Sequence, residues 1–204
     1  GLTVLLPMIY FTIKNGFWVL REYSIIFFLV SFQGFIGWYM VSSGLVDRVD
    51  VSHYRLSLHL FTAFIILSLV FWKFLKLTNI KINRVNIQLN SIKFFFVLLF
   101  LQLIIGAFVS GMDAGKIYNT WPLKGSSFFP DDSVIFDLFK FTVFDDQSLV
   151  QFIHRNLAYL IVLLYFYILF FVLKNGNLNL KIPIFIIGIS LLFQIVLGVL
   201  TVLS

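Results

Sequence analysis

The apolar residues of this 204-residue chain fall in blocks of about 20, the length a helix needs to cross roughly 30 Å of hydrocarbon. In that medium every backbone N–H and C=O must be satisfied within its own segment, so an apolar block of this kind is expected to be an α-helix. Five blocks are complete or nearly so, over residues 24–43, 54–76, 93–112, 149–173 and 182–203. Residues 1–13 form an apolar run too short to cross, with no initiator Met and no charged leader, and they read as the second half of a span. The other end stops at Ser204 with no polar tail, so the expectation is a chain incomplete at both ends. The expected fold class is all-α, a polytopic transmembrane helical bundle with about five full spans plus a partial N-terminal one.

Composition supports a membrane solvent. Hydrophobic residues make up 60%, charged residues only 12%, and mean hydropathy is +1.00, whereas a soluble domain carries about 25% charged residues. The absence of cysteine excludes disulfides, thiolate metal sites and Cys nucleophiles, which leaves histidine as the natural soft ligand. A net charge of +6 does not point to nucleic acid here, because the basic residues lie between the spans. Connections 14–23, 73–93 and 174–181 hold nine Lys/Arg against one acid, Glu22, while 44–55 and 113–148 hold five against eight Asp. Basic connections stay in the cytoplasm, so the Asp-rich ones face the opposite side of the membrane. The connection 113–148 is longer than a structureless loop should be. Its Phe136–Phe144 stretch is expected along the membrane interface. Gly111-Met-Asp-Ala-Gly115 and Tyr118-Asn-Thr-Trp-Pro122 are expected to form a lid over a pocket.

An internal repeat organises the spans. Gln33-Gly-Phe-Ile-Gly37, Gln102-Leu-Ile-Ile-Gly106 and Gln194-Ile-Val-Leu-Gly198 share Gln-x3-Gly. The segments after the first two share His-x3-Ala, as His59 with Ala63 and His154 with Ala158. A Gln/Gly helix followed by a His/Ala helix thus occurs twice, and such repeats place binding sites at their interfaces. Small-residue helix packing alone would also account for Gln-x3-Gly.

His59 and His154 each fall near the outward end of a span, where an ionisable group is costly and points to function. A neutral imidazole ligates iron well. Ala63 and Ala158, one turn along on the same face, leave room for a flat ring system. Arg55, one turn before His59, and Arg155, beside His154, suit haem propionates, which a guanidinium meets in bidentate fashion. The third histidine, His53, is expected at a helix start with Ser52 as N-cap and Asp50 favouring the positive helix end. It is assigned a structural, propionate-contact or proton-relay role rather than that of a ligand.

The chain resembles the haem A synthases, in particular the proteobacterial and mitochondrial type. The resemblance is carried by Gly37-Trp-Tyr-Met-Val-Ser-Ser-Gly-Leu45, Asp50-Val-Ser-His-Tyr-Arg-Leu-Ser-Leu-His59-Leu, Asp113-Ala-Gly-Lys-Ile-Tyr-Asn-Thr-Trp-Pro-Leu123 and Gln151-Phe-Ile-His154-Arg-Asn-Leu-Ala-Tyr159. Lys124 departs from it, standing where the family pattern has Met. The resemblance implies eight transmembrane helices in two pseudo-symmetric four-helix halves, each holding a haem between two His ligands. It implies that a methyl group of haem O is oxidised, through hydroxylated intermediates, to the formyl group of haem A for terminal oxidases. It places His59, with Arg55, Ala63 and His53, on the substrate side, and His154, with Arg155 and Ala158, at the haem b cofactor. The two histidines would be the iron ligands in this chain, with the family's second-helix Glu and the opposing histidines outside it. On this basis residues 1–76 belong to the first half, 77–92 to a cytoplasmic linker and 93–204 to the second half. Residues 1–204 alone would be inactive. Implied partners are haem O, haem O synthase, oxidase assembly factors and the bilayer, with a homo-oligomer as a candidate assembly. A bis-His b-type cytochrome that only relays electrons is the main alternative, and a transporter or assembly factor without a redox cofactor is the other.

Overall fold

The computed structural model describes residues 1–44, 51–78, 89–174 and 178–203. They form six α-helices: α1 Leu2–Asn15, α2 Trp18–Gly44, α3 His53–Leu77, α4 Leu89–Gly111, α5 Gln147–Lys174 and α6 Leu178–Leu203. Among the described residues five helices, α2 to α6, are long and apolar enough to cross a membrane. The protein is an all-α integral membrane protein. Each of the five expected spans is present, but three begin four or more residues earlier than hydropathy alone suggests, α4 at Leu89 rather than residue 93 among them. α2 starts at Trp18 rather than residue 24, carrying Arg21 and Glu22 in its opening turns. α6 starts at Leu178 rather than residue 182, carrying Lys181 and Pro183. A proline that early in a helix removes a hydrogen bond at the end rather than in the membrane interior.

The chain divides into two compact units, residues 1–81 and 82–204. In the first, α1 packs on α2 and α2 on α3. α1 is 14 residues long and ends at Gly16, whose φ of 99° is open to glycine and strained for other residues. Hydroxyls inside these helices bond to the carbonyl one turn back. Thr62 Oγ1 donates to the Leu58 carbonyl at 2.8 Å and Ser31 Oγ to the Phe27 carbonyl at 2.9 Å. Glu22, the one acid of the basic connections, forms an ion pair with Lys73 of α3. α3 opens at His53 with Ser52 in the N-cap position, but the Ser52 hydroxyl makes no capping bond, contrary to the expectation for it. Asp50 lies outside the described residues.

In the second unit α4 packs along α5, and α6 against α5. Phe95, Leu98, Ile161, Tyr165, Ile168, Val172 and Ile184 form its core, and Ile105, Phe108 and Val150 a second cluster. In lipid the gain from such contacts is van der Waals fit rather than escape from water, so close approach matters most. Tyr165 illustrates this: its hydroxyl donates to the Ile184 carbonyl at 3.1 Å and fills the space where a Cβ on Gly188 would stand.

The segment from Met112 to Asp146 carries three 3₁₀ turns, Ala114–Lys116, Ile135–Phe139 and Phe141–Asp145. Phe136, Phe139 and Phe141 on it are 79%, 83% and 101% exposed, a set of rings that the interface would cover.

Candidate functional site

Each histidine singled out by the sequence lies against the Gln-x3-Gly element of the preceding helix in its own unit. In the first unit, Gln33 Nε2 donates to the backbone carbonyl of His59 at 2.9 Å, and a Cβ on Gly37 would stand 3.2 Å from His59 Cε1. In the second, Gln102 Nε2 lies 3.2 Å from His154 Nε2, and a Cβ on Gly106 would stand 3.1 Å from His154 Cε1. The glycines thus let each imidazole edge rest on the backbone of the neighbouring helix. Ala63 and Ala158 are half-buried, one turn beyond the histidines on α3 and α5. The contacts span 26 and 52 residues, so sequence alone disclosed the shared order of the two elements but not that they touch.

The polar bookkeeping of the two seats matches. The Nδ1 atoms of His59 and His154 and the Oε1 atoms of Gln33 and Gln102 are buried with no hydrogen-bond partner among the described residues. Leaving such an atom unsatisfied costs about 1–3 kcal/mol. With the Gln102 amide donating to His154 Nε2, Nδ1 carries the ring proton, and an iron would take the Nε2 lone pair in place of the amide. Two imidazoles with buried Nδ1 atoms, each on a helix with a small residue one turn along, fit the ligation of a haem iron. Metal clusters of three or more His, Cys, Asp or Glu do not occur among the described residues, so the donor set does not suit a bare ion.

The two arginines are placed differently from one another. The guanidinium of Arg55 lies over the ring of Tyr39 at 4.5 Å, and Tyr39 is two residues beyond Gly37 on α2. Arg155 instead holds the long connection. Its Nη1 donates to the carbonyls of Thr120 at 2.9 Å and Leu123 at 3.5 Å, and its Nη2 to that of Tyr118 at 3.0 Å. The stretch expected as a lid is therefore fastened to α5 beside His154. His53 sits at the start of α3 with its ring 4.2 Å from that of Tyr54.

Sequence reasoning missed the other fasteners of this connection. Gln151, 2% exposed and one turn before Arg155, donates from Nε2 to the Tyr118 carbonyl at 3.2 Å and accepts from Lys124 Nζ. Lys124, 1% exposed, also lies over the Tyr118 ring at 5.1 Å. Burial, reinforced by the nearby Arg155 charge, pushes the Lys124 amine down to about 7. Asp132 accepts from Tyr118 Oη at 3.0 Å and Ser148 Oγ at 2.6 Å. Burial works to raise its carboxyl, but the bonds from Ser148 and Tyr118 outweigh that and hold it below the usual range. Asp131 gathers the hydroxyls of Ser127 and Ser126 and the Ser126 N–H, which likewise lower its carboxyl. The available signal was Gln151 at the head of the Gln-x2-His-Arg motif, a polar residue without a ligand role of its own.

Comparison with known proteins gives the frame for this site. The family model described as "Cytochrome oxidase assembly protein" matches residues 1–204. The chain is 44% identical over 206 residues to a protein of Pelagibacter ubique named "Heme A synthase", covering 100% of this chain and 61% of that one. Relatives with the same name in Wolbachia pipientis wMel and Flavobacterium psychrophilum are 38% and 41% identical, with 58% and 62% of their lengths covered and 100% of this chain in both cases. No solved structure matches the chain. The chain thus spans about 60% of the length of these curated relatives. Matched along its whole length, it belongs to the cytochrome oxidase assembly protein family.

Proposed function

We propose that the protein is a haem A synthase, oxidising a methyl group of haem O to the formyl group of haem A for terminal oxidases. The observation that carries this is the pair of equivalent seats, His59 on Gln33/Gly37 and His154 on Gln102/Gly106, each with a buried imidazole Nδ1. The relatives named "Heme A synthase" supply the reaction.

In this reading residues 1–76 belong to the substrate half and residues 93–204 to the cofactor half of an eight-helix, two-half protein, joined by a cytoplasmic linker at 77–92. His59 would hold the iron of haem O, and His154 that of a resident haem b. When bound, the haem iron supplies the redox chemistry, while the chain binds, orients and shields. Arg55, held over Tyr39, faces the propionate end on the substrate side, with His53 at the rim. Arg155 keeps the Tyr118–Leu123 backbone beside His154 and has N–H groups left for a propionate. Ala63 and Ala158 leave the ring face clear. The charge distribution supports a bacterial inner membrane location with both histidines near the non-cytoplasmic face. Haem O synthase and oxidase assembly factors are the expected partners.

The test is expression of the full-length protein in cells that make haem O but lack their own synthase, followed by chromatography of the extracted haems. Haem A is the expected product. A protein that retains two haems and makes no haem A is the electron-relaying cytochrome instead.

A further inference from the structure

The Gln-x3-Gly elements have so far been treated as surroundings of the histidines, but the contacts give them a more definite part. Between two helices in lipid, small residues ordinarily serve to bring backbones together. At Gly37 and Gly106 it is an imidazole that fills the space. In both units the same atom, Cε1, is nearest, at 3.2 Å and 3.1 Å from where a Cβ would stand. Nδ1 follows at 3.8 Å and 3.7 Å, so the Cε1–Nδ1 edge of each ring lies against the glycine and a side chain there would displace the ring. The glutamine one turn earlier on the same helix face then meets the histidine, through its backbone carbonyl in one unit and its ring nitrogen in the other. Gly34, one turn from Gly37 on the same helix, has nothing within 4 Å of its Cβ position, so the closeness belongs to the seat and not to the helix as a whole.

The geometry points to Gly37 and Gly106 as positioning residues for the imidazoles of His59 and His154, one for each haem, with Gln102 acting on the His154 ring nitrogen and Gln33 on the His59 backbone carbonyl. This rests on the proposal that the two histidines are axial ligands. Groups behind a metal-bound histidine set its orientation and basicity, and these set the electronic state of the iron. An alanine at Gly106 puts a methyl group where nine in ten real Cβ contacts are looser, so the ring must turn or shift by a few tenths of an ångström. Gln102→Leu keeps the bulk and removes the amide. Both changes act on the haem held by His154, and their counterparts at Gly37 and Gln33 act on the haem held by His59.

The experiment uses the full-length protein purified with its haems, and reads haem content and the low-temperature electron paramagnetic resonance of the ferric low-spin haem in each variant. Gly188→Ala serves as the packing control, because a Cβ there would stand 2.1 Å from Tyr165 Oη with no histidine among the contacts. The expected result is that Gly106→Ala and Gln102→Leu shift the signal of one haem and leave the other in place, while Gly188→Ala lowers yield without moving either signal. Unchanged signals in Gly106→Ala, or an equal shift in Gly188→Ala, would overturn the inference. If Gly106→Ala holds no haem, Gln102→Leu decides: a shifted or lost signal with Gly188→Ala still loaded supports positioning, and an unchanged one overturns it. His154→Ala separates the two levels. Full retention of both haems in that variant removes the underlying ligand assignment, whereas loss of one haem there with no response in the glycine and glutamine variants removes only this inference.

Discussion

Arg155 Nη2 donates to the carbonyl of Tyr118 at 3.0 Å, so the residue next to His154 on α5 is also what holds the loop segment 37 residues away in sequence. With Nη1 on the Thr120 and Leu123 carbonyls, one side chain meets three backbone acceptors, of which Tyr118 also accepts from Gln151 and Leu123 from the Thr120 hydroxyl. The loop and the histidine are thereby parts of one local structure.

Arg155→Lys keeps the charge but loses the planar fork that reaches separate carbonyls. We expect a loss of about 1–3 kcal/mol in local stability, the worth of one or two hydrogen bonds to a charged donor. Limited proteolysis should cut the 118–124 segment faster in the variant while the spans stay resistant. Equal cleavage rates would show that the loop is held by other contacts.

Lys124 gives the loop a pH dependence of definite sign. Its amine titrates near 7 in the folded protein and near 10.5 when unfolded, so between those values the unfolded state binds more protons and stability rises with pH. Below about 7 the buried amine is charged in both states and the full cost is present. Lys124→Met, the residue of the family pattern, should abolish this dependence and protect the loop most below pH 7. Proteolysis or hydrogen exchange of residues 118–132 measured from pH 6 to 9 checks it. A variant with the same pH profile as the parent would refute the role given to Lys124.

The Asp-rich connection between α4 and α5 is expected outside the cytoplasm, on nine against five basic residues in the two sets of connections. A reporter fused after Asp131 should therefore behave as periplasmic. Cytoplasmic reporter activity would reverse the topology, and with it the face on which both histidines lie.

Much of this was legible in the sequence, for reasons that differ by residue. Hydropathy locates helices because lipid forces an apolar block to close its own hydrogen bonds, and α3 and α5 begin within two residues of where it puts them, α4 four residues before. It fails at the starts of α2 and α6, since Arg21, Glu22 and Lys181 look like loop residues but sit on helix ends, with Glu22 paired to Lys73. His59 and His154 were legible because ionisable groups are scarce in spans. That each rests on a particular glycine was not, because contacts over 26 and 52 residues depend on helix rotation and rotamer. The work of Arg155 was legible only in part: a guanidinium near a rim suits propionates and backbone carbonyls alike, and the structure fills three of its donor positions with carbonyls. Lys124, noticed only as a departure from a family pattern, is among the most buried side chains of the described residues.

The central claim is that each unit contributes one ligand to a different haem. Haem content and haem A production, measured together on the full-length protein and its His154→Ala and His59→Ala variants, test this most directly. The account predicts that His154→Ala loses most of the resident b-type haem, while His59→Ala keeps it and loses conversion of haem O. Loss of the same haem to the same extent in both variants would contradict the assignment of one ligand to each half.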